Sequence, residues 1–227
     1  MVQAVNSKKK AQIASRGGQL LPRLGCVSML ALALAVASAL RPARAEAAPD
    51  SVPSHRLHVD VDPVQRTLVE VPLGPVQLVR EDGVSVSLNE LLNADRPVYV
   101  DFIYTTCTAL CPIMSGTFAS LQDKLGSARD RVSLISISID PEEDTPRRMR
   151  EFRRKYDAGD EWHFYTGTLE QSIAAQRAFG VYTGDKMLHQ PVMLFRAGPK
   201  ARWVRLDGFA TPDDLLRELP LEQAAGR

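Results

Sequence analysis

Residues 97–125 read PVYVDFIYTTCTALCPIMSGTFASLQDKL, Pro97 to Leu125, and the reading of this stretch decides the fold. Val98 to Tyr104 is an apolar, β-branched and aromatic run, the pattern of a strand buried in a sheet. After Thr105 and Thr106 comes Cys107, and a helical pattern opens around Cys111 and Pro112. Proline is tolerated in a first helical turn because its missing N–H would lack an intrahelical partner there. Pro112, Ser115, Phe118, Ala119 and then Leu121 to Leu125 continue at spacings that bury one face. Two cysteines, four residues apart, therefore sit where a central strand feeds a helix. In open α/β sheets, that end of the strands is where sites are built.

Free amide N–H groups and the positive end of the helix dipole favour a thiolate over a thiol at this junction. If both cysteines are helical, their i and i+4 positions share a face and can share a metal. If Cys107 lies just ahead of the helix they still converge, and a disulfide also stays within reach. The plain alternative is two inert buried cysteines, since cysteine is often fully buried. A pair at a strand-to-helix junction is poor filler, so a site is expected.

The 227 residues allow one domain with a sizeable core and some extra sequence. A net charge of +1 gives no reason to expect nucleic acid or an acidic partner, and 44% hydrophobic content describes an ordinary globular chain. The amino terminus differs. Lys8, Lys9, Lys10, Arg16 and Arg23 precede an apolar run from Leu24 to Leu40, followed by Ala43-Arg44-Ala45-Glu46-Ala47. Basic, apolar, then Ala-x-Ala is the order of an export signal, with cleavage expected after Ala45 or Ala47. An uncleaved membrane anchor is the close alternative. Residues 1–45 are assigned to that segment, with the remainder exported to the periplasm, soluble or tethered to the inner membrane. Cys26 belongs to it, which leaves Cys107 and Cys111 alone in an oxidising compartment.

Residues 46–75 read as a linker with a marginal lead-in strand. His55 and His58 lie there, and solvated linker histidines are the expected reading. Val76 to Val79 and Val84 to Val86 flank Glu81-Asp82-Gly83, a hairpin turn signal. Leu88 to Leu92 is a short helix. Val132 to Ile139 alternates as a strand, and Pro146 to Tyr156 is a charged amphipathic helix. A short strand at Trp162 to Tyr165 precedes a helix capped by Thr168 and stopped by Gly180. Two strands, Val192 to Phe195 and Arg202 to Leu206, precede a last helix from Thr211 to Leu219. The order predicts a mixed α/β sheet flanked by helices, a thioredoxin-like domain over residues 76–222 with an amino-terminal hairpin extension.

Phe102-Ile103-Tyr104-Thr105-Thr106-Cys107, Cys111-Pro112, Asp140-Pro141-Glu142 with Asp144-Thr145-Pro146, and a lone His189 before a strand together resemble the Sco/SenC family. The resemblance covers about Val76 to Leu219. It implies an exported, thioredoxin-fold copper protein that helps to assemble the copper centre of cytochrome c oxidase, with that centre's subunit as partner. Periplasmic copper chaperones or thiol reductases are further expected partners. It carries the ligand roles onto Cys107, Cys111 and His189. Soft thiolates select Cu(I), and imidazole suits Cu(I) or Cu(II). Asp140 is expected either to orient His189 and gate the metal or to cap a helix. Met114 and Met193 read as core, Met187 is left open as a thioether ligand, and His163 reads as structural.

Two departures from the family matter. Thr108 follows Cys107 where the family usually has proline. Pro191 stands roughly where thioredoxins carry a proline beside their redox cysteines, which favours thiol–disulfide chemistry; a plain strand-opening proline is the alternative. The sequence thus supports two functions, copper delivery without catalysis and thiol–disulfide reduction with Cys107 attacking and Cys111 resolving. Peroxidase chemistry fits poorly, because the Thr-x-x-Cys pattern it needs has Tyr104 in place of threonine.

Overall fold

The computed structural model describes residues 63–220. The export segment, Cys26, His55 and His58 lie outside the described residues. In chain order come β1 (Gln65–Val69), β2 (Gln77–Arg80), β3 (Ser85–Ser87), α1 (Leu88–Leu92), β4 (Val98–Ile103), α2 (Leu110–Leu125) and β5 (Ser133–Ser138). They are followed by α3 (Pro146–Lys155), β6 (Trp162–Thr166), α4 (Leu169–Ala178), β7 (Val192–Arg196), β8 (Trp203–Asp207) and α5 (Pro212–Glu218). The strands form one sheet in the order β1-β8-β7-β4-β5-β6-β2-β3. Among the described residues no helix is long and apolar enough to cross a membrane.

All six residues of β4 are buried, as its apolar run predicts. It pairs in parallel with β5, which pairs in parallel with β6, so α2 and α3 are the crossovers that parallel neighbours require. On the other side β4 meets β7 antiparallel, with Asp101 opposite Met193 and Val98 opposite Arg196. That polarity positions the site. The carboxyl ends of β4 and β5 and the amino end of β7 fall on one edge, together with the start of α2.

Side chains two apart on β4 share a face. Tyr99 packs edge-on to Phe118 of α2, whose ring meets Trp162, and its hydroxyl donates to Leu215 O at 2.8 Å, which ties in α5. From the opposite face Phe102 meets Phe179 at the end of α4, and Phe179 meets Trp203. Fully burying a side chain of this class contributes about 2 kcal/mol, which is what clamps β4 between two helical layers.

The helix signals hold. Thr145, Thr168 and Thr211 each accept a first-turn amide of α3, α4 and α5, and Gly180 adopts φ 65° after α4. Gly83 takes φ 92° in the β2–β3 hairpin, which joins the sheet beside β6 as the expected extension. Residues 65–69, within the stretch expected to be a linker with a marginal lead-in strand, form that strand and pair along their whole length with β8, so the sheet begins before Val76.

Candidate metal centre

Helix α2 opens without a capping side chain: Ala109 stands at its N-cap and offers no acceptor. The Cys107 sulfur fills that role, accepting the backbone N–H of Cys111 at 3.4 Å. Burial pushes the Cys107 thiol up, but the amides of Cys111 and Ala109 outweigh it and bring the thiol below its ordinary range. Cys111 behaves oppositely. It is fully buried, burial drives its thiol far up, and its sulfur accepts the Tyr104 N–H at 3.5 Å. Both cysteines are free. The expected pair is thus brought together, with one half-buried, activated sulfur and one shielded, protonated sulfur.

His189 is buried at the same edge, three residues before β7. Its Nε2 lies 2.8 Å from the carbonyl of Phe102, the fifth residue of β4. A carbonyl only accepts, so Nε2 carries the proton and the lone pair is on Nδ1. Burial lowers the imidazole pKa, which keeps the ring neutral. This is the arrangement that fixes tautomer and aim in metal-binding histidines, one nitrogen spent on a backbone carbonyl and the other left to ligate. The donor chemistry of Cys107, Cys111 and His189 therefore fits copper. The three are not gathered as a cluster, however: among the described residues no three His, Cys, Asp or Glu side chains stand close enough to hold an ion.

Asp140 is nearly buried and pairs with Lys186 Nζ at 2.5 Å, reaching the His189 segment through that lysine rather than through the imidazole. The cap of α3 is Thr145, which removes the capping role considered for Asp140. Met114 and Met193 are core, as read, and His163 is bonded to Glu81 at 2.9 Å in a structural cluster with Arg153. Pro191 is half-buried ahead of β7, and its carbonyl accepts Gly208 N–H at 2.9 Å.

Tyr104, part of the cysteine motif that carries the resemblance, also belongs to the site. Its hydroxyl contacts Met187 Sδ at 3.8 Å, and burial first, then the neighbouring Cys107 thiol, push the phenol up to about 12. The local signal for it was an aromatic residue at the end of the strand, three positions before the cysteine. Asp144, also part of a motif that carries the resemblance, accepts the Thr105 N–H at 3.1 Å, the Thr105 hydroxyl and the Ser138 hydroxyl.

The SCO1/SenC family model matches residues 67–197. The SCO1 protein homolog of Bacillus subtilis (strain 168) is 36% identical over 136 residues, which cover 56% of this chain and 69% of that protein. Among solved structures, BsSco, a member of the Sco family of cytochrome c oxidase assembly proteins in which a disulfide switch is identified, matches with a TM-score of 0.57 and 28% identity. That match covers 72% of this chain and 98% of BsSco. Arabidopsis thaliana ScoI with copper bound matches with a TM-score of 0.52 and 26% identity, over 63% of this chain and 91% of its own.

Proposed function

The chain belongs to the SCO1/SenC family, and from that premise we propose that it is an exported, periplasmic copper carrier that delivers its cargo to the copper-centre subunit of cytochrome c oxidase. Cys107, Cys111 and His189 are the ligands. The observation that carries the reading is the placement of His189, a neutral imidazole on the cysteine edge whose Nε2–H is committed to Phe102 O. A dithiol exchange enzyme has no evident use for such a group. Copper loading then needs a rearrangement that brings Nδ1 and the two sulfurs together, and unloading is its reverse. Each thiol that binds the ion must give up its proton, so loading releases protons.

A second reading rests on a different observation, the opposite perturbation of the two thiols. A lowered outer thiol and a raised inner one suit attack by Cys107 on a disulfide and later resolution by Cys111. In that role the protein reduces the cysteines of the client's copper site.

Anaerobic copper titration of the full chain tests the first reading. The reduced chain is expected to bind one copper, and the oxidised chain to bind poorly, because a Cys107–Cys111 disulfide removes two ligands. Equal stoichiometry in both states overturns it.

A further inference from the structure

Met187 has no part in either reading. Among the described residues it is the most exposed large apolar side chain, 73% accessible, and so forgoes the stabilisation that burial of such a side chain offers. Its position is nevertheless fixed. Asp185 accepts the Met187 N–H at 2.9 Å, Thr183 holds Asp185 O at 2.7 Å, and the neighbouring Lys186 is anchored on Asp140. This short turn sets the thioether against the Tyr104 hydroxyl at 3.8 Å, and the Tyr104 backbone joins both cysteines: its carbonyl accepts the Cys107 N–H at 3.1 Å and its N–H donates to Cys111 Sγ at 3.5 Å. Three sulfur-bearing residues, Met187, Cys107 and Cys111, thus lie in sequence from solvent to interior around one residue, Tyr104. No apolar packing accounts for the outermost of them.

We propose that Met187 is a third sulfur donor for Cu(I), taking the ion at the surface and passing it inward to Cys107 and Cys111. The inference rests on the copper-carrier reading above. A thioether is soft and neutral, so it prefers Cu(I), binds without a proton to lose, and stays in the ion's shell as the thiolates join it. Its three rotatable bonds give it the reach to follow the ion. Along the transfer only metal–sulfur bonds form and break. Copper stays Cu(I), and the protons leaving the two thiols go to solvent.

The test uses the full reduced chain with Cu(I) supplied from a chromogenic chelator, in wild type, Met187→Leu and Cys107→Ser. Leucine conserves the volume of methionine and removes only the sulfur. Uptake is followed by stopped-flow absorbance, and sulfur neighbours are counted by X-ray absorption on the loaded protein. Wild type is expected to show three sulfur neighbours. Met187→Leu is expected to show two and to load about tenfold more slowly, the scale on which groups beside a metal act. An unchanged sulfur count together with an unchanged uptake rate in Met187→Leu overturns the inference and leaves the carrier reading standing. If Cys107→Ser takes up Cu(I) as wild type does, the cysteine site is not the copper site, and both fall.

Discussion

The carboxylate of Asp144, in the loop after β5, holds Thr105, two residues before Cys107, accepting both its N–H and its hydroxyl. The same carboxylate accepts the Ser138 hydroxyl at the end of β5, and Ser138 Oγ in turn accepts the Asp140 N–H. The loop that follows one parallel strand is thereby fastened to the loop that carries the reactive cysteine on the next. Burial raises the Asp144 carboxyl despite these donors, and the side chain has no exposed surface.

Asp144→Ala leaves the Thr105 N–H, the Thr105 hydroxyl and the Ser138 hydroxyl without their acceptor. A buried donor left unpaired costs about 1–3 kcal/mol, so a loss of about 3 kcal/mol of unfolding free energy is expected. Urea unfolding checks it. A variant within 0.5 kcal/mol of wild type, roughly the scatter of surface substitutions, would show that the clamp contributes nothing.

The two thiols should separate in rate. The Cys107 sulfur sits on helix amides and is lowered, whereas Cys111 is sealed and raised. Alkylation of the reduced chain is expected to label Cys107 first, with a pH midpoint below that of an ordinary cysteine thiol, about 8.5. Cys111 is expected to stay unlabelled through pH 9. Mass spectrometry of partially alkylated protein reads the order, and equal labelling at pH 7 contradicts it.

The elements that bury a face were legible in the sequence, because periodicity is local. β4, α2, the β2–β3 hairpin and the Thr168 cap fall within a residue or two of their expected limits. β1 was barely legible. Four of its five side chains are exposed, and its partner β8 lies more than 130 residues away, so the local pattern supports only a marginal lead-in strand there. In the site, cysteine spacing announced the pair, and the resemblance supplied His189. What remained hidden was every link made across the sheet: Asp144 to Thr105, His189 to the Phe102 carbonyl, and Asp140 to Lys186. The first in part and the second wholly end on backbone groups, which carry no residue identity to read.

Asp101 predicts a pH dependence of stability. It sits on the Tyr99 side of β4, opposite Ser136, fully buried, with neither carboxylate oxygen hydrogen-bonded, and burial pushes it up to about 7. An unfolded aspartate titrates near 3.9. Below about pH 4 both states hold the proton and no stability is lost. From about pH 4 to pH 7 the unfolded chain ionises while the folded one does not, so stability falls; above pH 7 both are ionised and the loss levels at about 4 kcal/mol. Asp101→Asn cannot ionise, so its advantage over wild type should grow from nearly zero at pH 4 to that value at pH 8. Urea unfolding of both proteins across this range measures it, and a pH-independent difference contradicts the assignment.

His189→Ala separates the two functions. Copper held by two thiolates and one imidazole loses a third of its donors when the ring is removed, and Cu(II), the form that most needs nitrogen, loses the donor that suits it. The exchange reaction needs the Cys107 thiolate to attack and Cys111 to release the mixed disulfide, and neither sulfur is bonded to the imidazole. Removal also frees the Phe102 carbonyl, a cost of about 1–3 kcal/mol, so the variant must first be shown folded by circular dichroism. It is then expected to lose Cu(II) binding and to hold Cu(I) more weakly against a competing chelator, with dithiol redox cycling largely intact. Cys107→Ser is expected to lose both. Oxidase assembly in cells carrying each variant supplies the decision. Failed assembly with preserved redox cycling means that copper delivery is the task. Full assembly by a His189→Ala protein that no longer retains copper means that the dithiol alone serves the client, and the reductase reading replaces the carrier.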